Sequence, residues 1–499
     1  MTDAAAAEAA QPKNGEAGPA AVPRNLVVCC DGTGNEVTGY LSNVLKLFRI
    51  VEKDDDQRVY YHPGVGTVGT ESDWQRLKTN LRSYWGLATG TGLDDNILDA
   101  YRWLVENYRD ANDRIFLFGF SRGAYTVRAL AGFIHLMGLL HPDQLGVADY
   151  ALTTFKRVSP GAKKAAAGAP NPDGAKDGFA AAREFKRVMA AREVTIHFMG
   201  VWDTVGSMIV PGRYPLTFTL RTLPFTRRNP SVRAFRHAMA IDERRRMFRL
   251  NRWEEGQRFE PDHWHEPADG FPLQDCRQLW FPGVHSDIGG GYAEAESGLA
   301  KGPLIWMIDE AVAHDLRISR SMYGHLACGK PLPGGVQKYV PADPLGPMHR
   351  SLNGIWWLLE WLPKSAIWRE WERYFALYFP GAEPRPIPPG DTLHASVQTR
   401  LDAANGPPRK ERVRGCEYPP YNPPNLRSRR ELAPPEGTLS AAARPFALLL
   451  WASFVLALLL VLADLIRVHP LLDPGRWLAC LWHWLACGWN HLPGPPRTF

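Results

Sequence analysis

From residue 25 onward, apolar runs and amphipathic segments take turns along the chain. Leu26 to Cys30 (LVVCC) is an uninterrupted apolar run that stops at the turn-forming DGTGN, the pattern of a strand buried on both faces. RVYYH at 58–62 and IFLFGF at 115–120 read as two further strands. Between them Leu93, Ile97, Ala100, Tyr101, Leu104 and Tyr108 recur at helical spacing, and residues 122–140 continue as another helix. VTIHFMGVW at 194–202 and RQLWFPGV at 277–284 predict strands again, followed by a helix over 304–313. Strand and helix in alternation predict an α/β fold, a mostly parallel sheet with helices on both faces.

The flanks differ in kind. Residues 1–24 are Ala-rich and lack the basic start and apolar core of a signal peptide, so a disordered tail is expected. Residues 25–330 are expected to form this α/β domain, with a flexible Ala/Gly/Pro/Lys insertion at 158–178. Residues 331–443 read as an irregular Pro/Trp-rich region, apart from an aromatic helical patch between Ile355 and Trp371. Residues 444–499 read as a membrane-associated segment. Pro445 to Ala463 is nineteen residues without a charge, which predicts a transmembrane helix over about 445–466. The Trp-rich stretch 477–489 is too short to span and suits a re-entrant or interfacial position. Arg427, Arg429, Arg430 and Arg444 precede the crossing and Arg467 and Arg476 follow it, a slight bias toward a cytoplasmic large domain.

Composition narrows the partners. Lys plus Arg number 58 against 52 Asp plus Glu, and the resulting +6 is spread along 499 residues, so nucleic acid is not an expected partner. The seven cysteines include no C-x-x-C pair, which argues against a disulfide framework and a zinc site.

The chemistry centres on Gly119-Phe120-Ser121-Arg122-Gly123, a G-x-S-x-G set between an apolar strand and a helix. In that context the serine sits on a sharp turn with its hydroxyl above the sheet, and Gly119 and Gly123 avoid clashes that a Cβ would cause. A serine needs a base to become a nucleophile at neutral pH. Asp203, after HFMGVW, and His285, after LWFPGV, follow at strand ends in the order Ser, Asp, His. Asp287 competes as an orienting or structural acid. The expected oxyanion donors are the Arg122 amide and one from the Asp31-Gly32-Thr33 turn, either Gly32 or Thr33.

These stretches resemble a known family, the DUF2235 α/β-hydrolases, which include the Tle1-type phospholipase effectors of bacterial type VI secretion. The resemblance rests on VVCCDGTGN (27–35), GVGT (64–67), IFLFGFSRGAYTVRALAG (115–132), GVWDTVGS (200–207), HAMAIDERRRMF (237–248) and WFPGVHSDIGGGY (280–292). It implies an α/β-hydrolase-like fold and a triad of Ser121, Asp203 and His285, with phospholipid ester hydrolysis in the effector members. The expected function is therefore a phospholipase A-like serine hydrolase acting on lipid or other ester substrates. The alternatives are an esterase or thioesterase on non-lipid substrates, or a non-catalytic membrane-anchored scaffold. If the chain is an effector, a secretion spike or an immunity protein is an expected partner, and its setting is a bacterial inner membrane or the periplasm of a target cell.

Other signals are weaker. Gly64 to Gly69 fits G-x-G-x-x-G, but TESDWQRLK is a poor opening for the helix a dinucleotide site needs. His263 and His265 lie in a Pro-rich, loop-like context that does not favour metal binding. No cofactor or metal is expected. Arg244, Arg245 and Arg246 could engage lipid phosphates, although a charged surface or buried ion pairs is the favoured reading. The aromatic patch could dock on a bilayer or fill a core.

Overall fold

The computed structural model describes residues 23–32, 40–64, 92–158, 173–205, 208–211, 218–261, 270–335, 337–361, 364–365, 377–404, 421–427 and 452. The chain divides into two units, 1–436 and 437–499, and every element below belongs to the first.

The apolar runs form strands β1 (Asn25–Cys30), β2 (Gln57–His62), β3 (Arg114–Phe120) and β4 (Ile196–Trp202). Next come β5 (Met208–Pro211) and β6 (Phe218–Arg221), a small antiparallel pair, then β7 (Val232–Ala240) and β8 (Asp275–Phe281). Strands β9 (Lys364–Ser365) and β10 (Leu377–Tyr378) pair with each other, and β11 (Thr392–Leu393) closes the series. Seven of them make one sheet in the order β11-β8-β7-β4-β3-β1-β2, with every neighbouring pair parallel.

A parallel sheet needs cover on both faces, and the pleat of β1 shows how it is supplied. Leu26, Val28 and Cys30 point into a core shared with the helices Leu93–Asn107, Arg122–Met137 and Ala148–Arg157. Val27 and Cys29 point to the other face, toward the helices Asn43–Ile50, Gly298–Val312 and Arg320–Leu326. Phe116 and Phe118 have no exposed surface, and burial of each contributes roughly 1.5–3 kcal/mol. The short first helix begins at Ser42, whose hydroxyl accepts the Leu45 N–H as an N-cap.

Several sequence expectations change. The helix over 304–313 begins earlier, at Gly298. Residues 173–177, read as the end of a flexible insertion, open the helix Asp173–Val188, whose Ala-rich, amphipathic composition favours helix. Of the insertion, 159–172 lie outside the described residues. The aromatic patch is helical only over Ile355–Glu360 among the described residues. Pattern analysis missed β7, which lies between β4 and β8 in the sheet. Its buried Arg236 and His237 broke the apolar run. Arg236 is held by Asp275 and Glu310, each at 2.6 Å. Among the described residues no helix is long and apolar enough to cross a membrane. The segment 445–466, expected to span one, lies outside the described residues except for Ala452, as does the tail 1–22.

A close backbone approach joins β1 to the helix after β3. A Cβ added to Gly123 would sit 2.0 Å from the Cys30 carbonyl oxygen and 2.6 Å from that of Asp31. Backbone cannot yield there, so Gly123→Ala should lower stability by about 3 kcal/mol or more. Gly302, in the helix Gly298–Val312, has nothing within 4 Å of the same position, so Gly302→Ala should gain about 0.5–1 kcal/mol. Urea unfolding midpoints of the two variants should move in opposite directions.

Candidate active site

The strand order reverses beside β1, because β2 lies on one side of it and β3 on the other. Loops leaving the carboxyl ends of such strands diverge and open a crevice. Ser121 follows β3 at this point, with φ 57° and ψ −117°, a backbone conformation that L residues adopt only under constraint. Its N–H donates to the Trp202 carbonyl at 3.1 Å, tying the turn to the end of β4. A Cβ at Gly119 would lie 2.5 Å from the Gly123 carbonyl oxygen, so the two glycines are what let the chain reverse so tightly.

Asp203 is the residue after β4, fully buried and also at positive φ, 34°. Its N–H donates to the Ala238 carbonyl at 2.7 Å. His285 opens a five-residue helix just beyond β8 and is 4% exposed. The imidazole Nδ1 and Asp203 Oδ2 are 2.5 Å apart. An ionised aspartate accepts, so Nδ1 carries the proton and Nε2 is the basic nitrogen. The Phe120 ring, next to Ser121 in the chain, packs on the imidazole with centroids 4.7 Å apart. Gly289 permits this stacking, since a Cβ there would lie 1.9 Å from the Phe120 ring. Phe248 covers the imidazole from another side, at 4.9 Å.

The remaining expected residues divide. Asp31 is buried and organises its own loop: Oδ1 accepts the Gly32 N–H at 2.7 Å, and Oδ2 accepts the Tyr61 hydroxyl at 2.9 Å and that of Ser42. The Gly32 amide is therefore engaged within its turn. Thr33 lies outside the described residues. Arg122 is the first residue of a sixteen-residue helix, so no preceding turn of that helix can accept its N–H. Asp287 does not meet His285. Its Oδ2 accepts the Val284 N–H at 3.0 Å and its Oδ1 pairs with His349 Nδ1 at 2.6 Å, which fixes the start of the histidine helix. Gly64 packs on Gly32, whereas 65–69 and the histidines 263 and 265 lie outside the described residues.

Of the arginine triplet, Arg244 is exposed, Arg245 pairs with Glu243 at 2.8 Å, and Arg246 is buried with its N–H on Glu360 at 2.6 Å. Arg245 also lies over the Phe248 ring at 3.6 Å and near Trp356 at 5.1 Å, so part of the aromatic patch lines the site. Trp357 and Trp361 are exposed.

Two charged residues at the site escaped sequence reasoning. Glu243 accepts the His285 N–H at 3.3 Å, and Arg385 reaches Asp203 at 2.6 Å. Glu243 stood within the quoted HAMAIDERRRMF stretch, but Arg385 stands alone in a Pro-rich run with no motif to mark it.

The electrostatics follow from burial. Desolvation pushes the Asp203 carboxyl up, but Arg385 and His285 together outweigh it and hold the group well below the usual carboxylate range. Desolvation lowers His285, and the hydrogen bond and charge of Asp203 offset only part of this. Glu243 is pulled down to about 2, Arg245 overcoming the effect of burial. The arrangement is an ionised acid beside a neutral imidazole, with a serine on a strained turn one residue after Phe120, whose ring packs on that imidazole.

Residues 24–310 match the family described as T6SS, Phospholipase effector Tle1-like, catalytic domain. The chain belongs to that family. The Tle1-like match covers more than half of the 499 residues and spans Ser121, Asp203 and His285. An uncharacterized protein of Saccharomyces cerevisiae is 32% identical over 234 residues, which are 45% of this chain and 32% of the yeast protein. The chain thus spans about a third of that relative's length. An uncharacterized Pseudomonas aeruginosa protein of known structure shares 18% identity, with a TM-score of 0.33 over 59% of this chain and 46% of its own. The Tle1 effector, solved bound to the VgrG spike of the type VI secretion system, is 18% identical, with a TM-score of 0.28 over 56% and 53% of the two chains.

Because its charged form is disfavoured, His285 should stay neutral as the pH is lowered through neutrality and titrate below the ordinary histidine value of about 6.5. The 13C-labelled Cε1–H resonance, assigned with His285→Gln, would measure this. A midpoint at or above the ordinary value of about 6.5 would contradict the electrostatics described.

Proposed function

We propose that this Tle1-like chain is an α/β-hydrolase-like serine hydrolase that cleaves carboxylic esters, phospholipid acyl esters foremost. The Ser121 Oγ attacks the acyl carbonyl while His285 Nε2 takes its proton. Asp203 holds the imidazole by Nδ1–H and stabilises the imidazolium that forms. The oxyanion is met by the Arg122 N–H and by a donor of the loop after β1; with the Gly32 amide turned to Asp31, Thr33 is the candidate for that second donor. His285 returns its proton to the departing alcohol. It then deprotonates a water that releases the acyl group from Ser121 as a fatty acid.

The single observation that carries this reading is the conjunction at one sheet edge. A serine at φ 57° heads a helix after β3, and an Asp–His pair at 2.5 Å stands beyond β4 and β8 of the same sheet. Family membership supports the lipid substrate, since the family is described by its phospholipase effectors. It also supports delivery into the periplasm of a target cell, with a secretion spike as partner on the way and an immunity protein where the producing cell needs protection.

The test is fatty-acid release from phosphatidylethanolamine–phosphatidylglycerol vesicles by the full chain and by Ser121→Ala. The substitution should reduce turnover about a thousandfold or more, and a fluorophosphonate should label the wild-type chain alone. Equal release by both proteins would remove Ser121 from the mechanism. Ser121-dependent cleavage of soluble esters with inert vesicles would keep the triad and discard the lipid substrate.

A further inference from the structure

Asp203 has a partner besides the histidine. Arg385, 1% exposed, donates from Nη1 to Oδ1 at 2.6 Å and from Nη2 to Oδ2 at 3.1 Å, so its planar fork spans both carboxylate oxygens. The same two nitrogens reach the Ala240 carbonyl at 3.1 Å and the Phe248 carbonyl at 2.6 Å. The backbone that presents it is stiff. Pro384 and Pro386 flank Arg385, which restricts it to extended conformations. Ile387 is buried in a cluster with Met239, Ile241 and Trp280. Asn425 clamps the arm by donating to the carbonyls of Arg385 at 3.1 Å and Ile241 at 3.0 Å. Arg385, its flanking prolines, Ile387 and Asn425 all lie beyond residue 310, outside the family match.

We infer that Arg385 is a positioning residue of the reaction, holding Asp203 ionised and turned so that Oδ2 faces the imidazole Nδ1–H. The inference rests on the Ser121–His285–Asp203 reading proposed above. A carboxylate stripped of water either pairs with a cation or takes up a proton. Asp203 protonated could no longer accept from His285, and the imidazole would lose both its tautomer and its orientation. The other charged groups around the pair are already matched. Glu243 and Arg245, from the segment after β7, bond each other at 2.8 Å. His237 of β7 lies 3.3 Å from buried Arg128 and is held far below its ordinary value by burial and by that cation. Asp287, on the helix of His285 itself, is taken by His349. Among the described residues Arg385 is thus the cation in contact with Asp203.

Full-length Arg385→Gln and Arg385→Lys, compared with the wild type and Ser121→Ala, test this through the pH dependence of kcat/KM. In Arg385→Gln the Asp–His pair should titrate at higher pH, moving the acid limb up by about one unit or more, with kcat falling on the order of tenfold and KM unchanged. Arg385→Lys keeps the charge but cannot bridge both oxygens, so its acid limb should stay with the wild type while kcat drops severalfold. A purely structural role would reduce the active fraction at every pH without moving the limb. A folded Arg385→Gln with the wild-type limb overturns the inference. If that variant does not fold, Arg385→Lys decides alone: wild-type kcat or a shifted limb overturns it. Undiminished activity in Ser121→Ala overturns the triad reading instead, and a Ser121-dependent enzyme indifferent to residue 385 overturns this inference only.

Discussion

A carboxylate with no exposed surface, at the end of a strand inside the sheet, is the constraint around which this site is built. Taking an ion out of water costs several kcal/mol, and only directed donors offset it. Asp203 receives them from three separate stretches: the Ala240 N–H at the end of β7, His285 after β8, and Arg385 from the Pro-rich arm. No short segment could supply all three. The charge therefore couples strand ends that are far apart in sequence, and removing one donor leaves the others facing a charge they cannot neutralise, a loss of about 3–5 kcal/mol in comparable buried pairs.

The same edge also stores backbone strain. Ser121 and Asp203 both hold positive φ, each at a cost of about 1–3 kcal/mol, and they follow neighbouring strands in register, Phe120 against Trp202. Such conformations persist only where the surroundings over-determine them. Here the surroundings are the two apolar layers that clamp β3 and β4, with Phe118, Phe198 and Trp202 on one face and Leu117, Met199 and Val201 on the other. Packing that carries no chemistry thus makes the turn at Ser121 possible.

The sequence made much of this legible because the fold writes its parallel strands as continuous apolar runs. β1 and β3 were marked by LVVCC and IFLFGF, and G-x-S-x-G marked the turn by the spacing of its glycines. Ser121, Asp203 and His285 were readable because each stands at the end of such a run. β7 was not, because buried polar pairing replaces apolar character there: Arg236 meets Asp275 and Glu310, and His237 accepts the Thr204 N–H at 3.2 Å. A charged residue carries no sign in the sequence of whether its partner waits in the fold. Arg385 was hidden for the same reason, and the role of Asp287 became clear only from the distance to His349.

That hidden partnering recurs around His285. Among the described residues, four acids near His285 find a partner beyond residue 310: Asp203 with Arg385, Glu243 with the Ser351 hydroxyl at 3.1 Å, Asp287 with His349 and Asp242 with the Tyr421 hydroxyl at 3.0 Å. The strand β11 adds to the sheet beside β8, and Trp280 of β8 donates to Asp391 at 2.8 Å. A segment that only covered the catalytic body would make apolar contacts and leave the acids to find partners within residues 24–310. Instead the irregular stretch carries cations and hydroxyls to defined oxygens, so its Pro-rich sequence reads as a set of stiff supports. The stretch that lacks a recognisable pattern is thus the one that brings a guanidinium to both oxygens of Asp203.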